Sequence, residues 1–160
     1  MIADSSTLII FSRINKLELL ANLFGDIIIT ESVYNECCIE GLKINAPDAL
    51  LIKTWVDQSR ITVTRLPDMA SATRLQRLYP QLGNGEAEAI AFALQEKEET
   101  ILLDDRLARR VARLYGLKPI GTLHVILRLY KNRTIQKQKH DVRAIMNCLR
   151  NINFASVVKC

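Results

Sequence analysis

The sequence predicts an α/β fold with a mostly parallel central sheet, and three observations carry that prediction. Short strand-like runs, MIA, DIII, ITVTRL, TILL and KPIG, alternate with longer stretches of helical periodicity. Parallel strands require crossovers, which are usually helices, so this alternation implies a sheet covered on both faces. The 160 residues are 49% hydrophobic, enough for one compact domain that buries about 70% of its unfolded surface.

Each element follows from local chemistry. MIA is a strand, Ser5 and Ser6 are natural N-caps, and Leu8, Ile9, Phe11 and Ile14 give the first helix its apolar face. KLELLANLF is helical up to Gly25, where a left-handed C-cap is easily adopted, and DIII is the second strand. ESVYNECCIE is helical up to Gly41. Pro47 suits the first turn of a helix through Trp55, and ITVTRL alternates as an edge strand does. The segment after Pro67 is helical and ends before Tyr79 and Pro80. GNG breaks the chain before the helix EAEAIAFALQEKEE, TILL is a strand, and DRLARRVARLYG is a helix closed by Gly116. KPIG is a last short strand, with helices expected over 123–130 and 136–149. No linker or repeat divides the chain, so residues 1–160 are expected to form a single domain with 135–160 as a C-terminal helical extension.

Acidic residues recur where these elements meet. Asp4 follows the first strand, Glu36 lies in the helix after the second, Glu86 opens a helix, and Asp104 and Asp105 follow TILL. In such sheets the site lies outside the carboxyl ends of the strands. Taken singly, the aspartates are good helix caps and Glu86 favours a helix dipole. Brought together they would repel by about 4 kcal/mol per pair at about 4 Å and an effective dielectric of 20. A carboxylate must then take a proton or the group must take a cation. Oxygen donors without histidine or cysteine favour a hard ion, Mg²⁺ or Mn²⁺, and such an ion points to phosphodiester chemistry.

Charge and composition narrow the function further. Sixteen of the 17 acidic residues precede Arg106, and 13 of the 22 basic residues lie from Arg106 onward, giving −7 before and +12 after. That asymmetry suits a polyanion or an acidic partner. Only His124 and His140 are present, which argues against histidine-rich metal sites and double-histidine RNA cleavage. Cys37, Cys38, Cys148 and Cys160 lack C-x-x-C spacing and are expected to be reduced, packed thiols. With no run of about 18 apolar residues and a strand beginning at Met1, a cytoplasmic protein with no membrane segment is expected.

Over roughly residues 1–135 the chain also resembles the PIN-domain family, specifically its VapC-like branch, in MIADSSTLI, ITESVYNE, LGNGEAEAIAFAL, ILLDDRLARRVARLYGL and PIGTLHVILRLYK. The resemblance implies a three-layer α/β/α sandwich and a Mg²⁺- or Mn²⁺-dependent endoribonuclease that cleaves RNA. Such a protein often acts as a toxin restrained by a small antitoxin protein, and a homodimer through the early helices is expected. Carried over by position, Asp4, Glu36, Glu86 and Asp105 match the four PIN acids, with Asp104 an alternative at the last position and Glu88 a weaker neighbour of Glu86. Many PIN proteins carry threonine or serine just before the fourth acid, where this chain has Leu103 and Asp104, and His124 stands where related sequences often have glycine. The alternative to a nuclease is a binding module for nucleic acid or protein with little activity. Phosphoryl transfer to Asp4 is a more distant reading, since DSST lacks a second aspartate two residues on.

Overall fold

A computed structural model describes residues 1–131, so the helix expected over 136–149 and the terminal NFASVVKC lie outside the described residues. Five parallel strands form the sheet: β1 (Ile2–Ala3), β2 (Ile27–Thr30), β3 (Ile61–Thr64), β4 (Thr100–Leu102) and β5 (Lys118–Ile120). Their order is β3-β2-β1-β4-β5. The chain winds outward from β1 through β2 to β3, then returns to the other side of β1 for β4 and β5. The winding direction therefore reverses beside β1, where such folds leave a crevice at the strand carboxyl ends.

Successive side chains of a strand point to opposite faces, and this alternation builds two cores. Ile2, Ile101 and Leu103 pack on one side and Ala3 and Leu102 on the other, while β2 sends Ile27 and Ile29 to Ala3's side. That side is covered by α1 (Ser5–Arg13), α2 (Leu17–Phe24), α3 (Glu31–Tyr34), α5 (Pro47–Asp57) and α9 (Thr122–Lys131), through residues such as Phe11, Leu20, Val33, Ile52 and Val125. The opposite side is covered by α6 (Met69–Leu78), α7 (Asn84–Gln95) and α8 (Arg106–Leu114), through Leu75, Ile90 and Val111 among others. The result is the expected three-layer α/β/α sandwich. Helix α7 is buried almost all round, and its alanines at 87, 89, 91 and 93 let it lie close to neighbouring elements.

Several boundaries differ from the sequence expectation. Asp4, not Ser5 or Ser6, caps α1, accepting a hydrogen bond from the Thr7 N–H at 3.0 Å. The ESVYNECCIE stretch is not one regular helix: α3 passes into a π-helical turn, Asn35–Ile39, and then into α4 (Glu40–Lys43). This wide turn carries Glu36 and sends both Cys37 and Cys38 into the core with their sulfurs 3.9 Å apart. The Cys37 thiol is pushed up by its contact with Cys38 and by burial, which suits a packed, protonated thiol. Helix α7 starts at Asn84, so Gly85 lies inside its first turn rather than before it. Gly25 does take a positive φ, +73°, after α2, and Gly116 takes +84° after α8.

Gly41 is required by packing. A Cβ there would lie 2.6 Å from the Ala49 Cβ, and neither short side chain could move aside. Gly41→Ala is expected to cost about 1–3 kcal/mol by overpacking the α4–α5 contact. A lower urea midpoint at unchanged slope would show it; an unchanged midpoint would mean that the helices separate freely. Nearby, Arg60 stacks on Trp55 at 3.7 Å and bonds to Glu18, tying β3 to α5 and α2. Among the described residues no helix is long and apolar enough to cross a membrane.

Candidate functional site

Asp4 and Asp104 leave the carboxyl ends of the two strands that flank the winding reversal. The Asp4 N–H continues the β1–β4 ladder by donating to the Leu102 carbonyl at 3.1 Å. Asp4 is 2% exposed. Its carboxyl is pushed from 3.8 up to about 7, first by burial and then by the Asp104 charge, although the Thr7 and Asp104 N–H groups pull the other way.

Asp104 and Asp105 have separate tasks. Asp104 accepts from the Thr122 N–H at 2.7 Å and from the Thr122 hydroxyl, which holds the start of α9 to the end of β4. Asp105 caps α8, accepting from the Ala108 N–H at 2.8 Å, and faces Glu86 electrostatically. Thus both candidates for the fourth acid lie at the same edge, Asp104 beside Asp4 and Asp105 beside Glu86.

Glu36 reaches this edge from the π-helical turn. One of its oxygens accepts from the Gly85 N–H at 3.0 Å and the other from the Ser5 hydroxyl at 2.8 Å. A Cβ on Gly85 would meet those oxygens at 2.8 and 2.9 Å, so the approach depends on glycine. Glu86 folds back on its own helix start, accepting from the Gly83 N–H at 2.9 Å. Burial raises its pKa first; the Gly83 bond lowers it, and the Asp105 and Glu36 charges raise it further. Glu88 instead takes both the N–H and the hydroxyl of Ser32, at 3.2 and 2.6 Å, fastening α7 to α3. Two residues further along its helix, Glu88 serves packing where Glu86 faces the other acids.

The acids therefore arrive as two sets, Asp4 with Asp104 and Glu86 with Glu36 and Asp105. Among the described residues no group of three or more aspartate, glutamate, histidine or cysteine side chains is gathered closely enough to hold a metal ion. The physical reason lies in the partners: each carboxylate is drawn to a nearby N–H or hydroxyl. In chemistry the set fits a hard ion, being all oxygen with one buried acid short of counter-charge.

A family model described as "DUF3368: PIN domain" matches residues 1–156. The chain belongs to the PIN-domain family. No curated protein and no solved structure matches it. Membership of the PIN-domain family agrees with a nuclease or RNA-binding role in general.

In this PIN domain the roles of Ser5, Gly85, Thr7 and Thr122 at the edge escaped the sequence reading. Ser5 stands directly after Asp4 and serves Glu36, while Gly85 stands directly before Glu86 and also serves Glu36. Thr7 and Thr122 supply hydroxyls beside Asp104. Arg109 packs toward Gly121, whose missing Cβ would lie 2.9 Å from its Nη1, and its buried Nε meets no hydrogen-bond partner among the described residues. Arg106, Arg110 and Arg113 are exposed, so α8 divides its arginines between the edge and solvent. The motifs DSS, NGE and GT held the signals for Ser5, Gly85 and Thr122, but partners 18 to 49 residues apart are not visible along a chain.

Proposed function

We propose that this chain is an RNA-binding PIN module whose phosphodiester cleavage is metal-dependent and weak in the conformation described. The observation that carries this reading is that Asp4, Glu36, Glu86, Asp104 and Asp105 each accept a protein hydrogen bond, with no three of them gathered for an ion. The exposed face of Arg106, Arg110 and Arg113 supports backbone contact with RNA beside that edge. Residues 1–160 are read as a single domain, supported by the family match over 1–156.

A second reading is a fully active Mg²⁺- or Mn²⁺-dependent endoribonuclease of the VapC-like branch, in the cytoplasm and restrained by a small antitoxin. Its support is the buried Asp4 beside Asp104, which gains most from a cation. In either case Asp4 and Asp104 would hold the ion, with Glu36, Glu86 and Asp105 acting directly or through water. When bound, such an ion makes hydroxide available near neutral pH and offsets charge on the phosphate. Ser5 and Gly85 hold the Glu36 carboxylate in one orientation, and Thr122 does the same for Asp104. Apolar side chains exposed at Ile39, Ile44 and Leu50 support a homodimer through the early helices.

Labelled RNA is expected to bind the purified protein without divalent ions, more weakly as salt rises. The salt slope should fall by about 2 in Arg106→Ala/Arg110→Ala. With Mn²⁺, slow cleavage is expected that EDTA and Asp4→Asn abolish. RNA that neither binds nor is cut would sink the proposal, and rapid turnover in Mn²⁺ would favour the second reading.

A further inference from the structure

The sequence lacks the hydroxyl residue that many PIN proteins place just before the fourth acid, having Leu103 and Asp104 in that region. Leu103 is fully buried and packs into the core on the α7 side, so no hydroxyl can come from there. One arrives through space instead. The β5–α9 turn brings Thr122 against Asp104, with its N–H on Oδ1 at 2.7 Å and its hydroxyl on Oδ2. The Thr122 and Thr7 hydroxyls lie 3.2 Å apart, and both residues are fully buried. A hydroxyl has one proton and a carboxylate can only accept. Thr122 therefore donates to Asp104, with the Thr7 hydroxyl within hydrogen-bond distance of the Thr122 oxygen. The Thr7 N–H meanwhile donates to Asp4 at 3.0 Å, so one ring of hydrogen bonds joins both strand-end acids.

We infer that Thr122 is a positioning residue for Asp104, holding both carboxylate oxygens in one orientation and keeping the acid aimed beside Asp4. Thr122 is itself fully buried, so it acts through Asp104. Gly121 makes the approach possible, since a Cβ there would lie 3.2 Å from Asp104 Oδ1 and 2.9 Å from Arg109 Nη1. The inference rests on the proposed ion at Asp4 and Asp104. It goes further by assigning the missing hydroxyl to the first residue of α9, 18 positions from its partner.

Direct Mn²⁺ binding, read from the electron paramagnetic resonance signal of free Mn²⁺ in RNA-free protein, separates the two ideas. Thr122→Val keeps the shape and the N–H but removes the hydroxyl. It should weaken Mn²⁺ affinity by about 10–100-fold, the usual effect of losing a hydrogen bond to a ligating group. Thr122→Ser, which restores the hydroxyl, should return affinity to near the wild-type value. A role in packing alone predicts the reverse ranking, because serine leaves a gap and valine does not. Wild-type affinity in folded Thr122→Val overturns the assignment while leaving the ion site standing. Absence of Mn²⁺ binding by the wild-type protein removes the ion site and this inference together. Should Thr122→Val fail to fold, Thr122→Cys, with its weak S–H donor, carries the same test: weakened affinity supports the inference and wild-type affinity overturns it.

Discussion

Replacing Asp4 by asparagine is expected to make the metal-free protein more stable above pH 7 while abolishing its metal-dependent cleavage. Asparagine keeps the cap on Thr7, since its amide oxygen can accept the same N–H. What changes is the buried charge. The Asp4 carboxyl is raised from 3.8 to about 7 in the folded chain, so between those values the native state holds a proton that the unfolded state has released. Stability must then fall as pH rises through that window, and the loss is complete above the folded value. At about 1.4 kcal/mol per pKa unit the loss is on the order of 4 kcal/mol. Urea melts in EDTA should show the wild type weakening from pH 5 to pH 8 and Asp4→Asn changing much less. Parallel pH profiles for the two proteins would show that Asp4 is not a strained buried acid. Mn²⁺ should offset the loss in the wild type alone, by mass action on the folded state.

Gly85→Ala is the second change with a large expected effect. The added Cβ would overlap the Glu36 carboxylate at 2.8 and 2.9 Å. That carboxylate is held on both sides, by Gly85 and Ser5, so it cannot yield without losing a bond. A displacement of about 1 Å at a reacting centre can cost about 100-fold in rate. Whatever Mn²⁺-dependent cleavage the wild type shows should drop by that order, while RNA binding through α8 stays within about twofold. Alanine is a better helix former than glycine, so the fold itself should persist. Undiminished cleavage by a folded Gly85→Ala protein would remove Glu36 from the chemistry.

The strands were legible because each is a short apolar run between helix signals, as in TILL between EKEE and DDRL. Helix ends were less so. Asp4 and Ser5 are both good N-caps by type, and only the strand ladder through the Leu102 carbonyl places Asp4 outside the helix. The π-helical turn at Asn35–Ile39 also left no periodic signal, since it spans a single turn. Among the acids, residue type and position picked out Asp4, Glu36, Glu86, Asp104 and Asp105, but not what each one meets. Glu86 and Glu88 look alike in EAEA, and their different partners, Gly83 and Ser32, separate them.

Residue order alone determined the alternation of strands and helices, the crossover connections and the acidic residues at strand ends, because these follow from local periodicity and capping. Tertiary structure decided the competition for each carboxylate. Thr122 lies 18 residues from Asp104 and Gly85 lies 49 from Glu36, and hydrogen bonds across such separations depend on how the layers pack. That packing leaves the acids in two sets, each tied to protein donors, and it puts a hydroxyl beside Asp104 where the neighbouring sequence has only leucine.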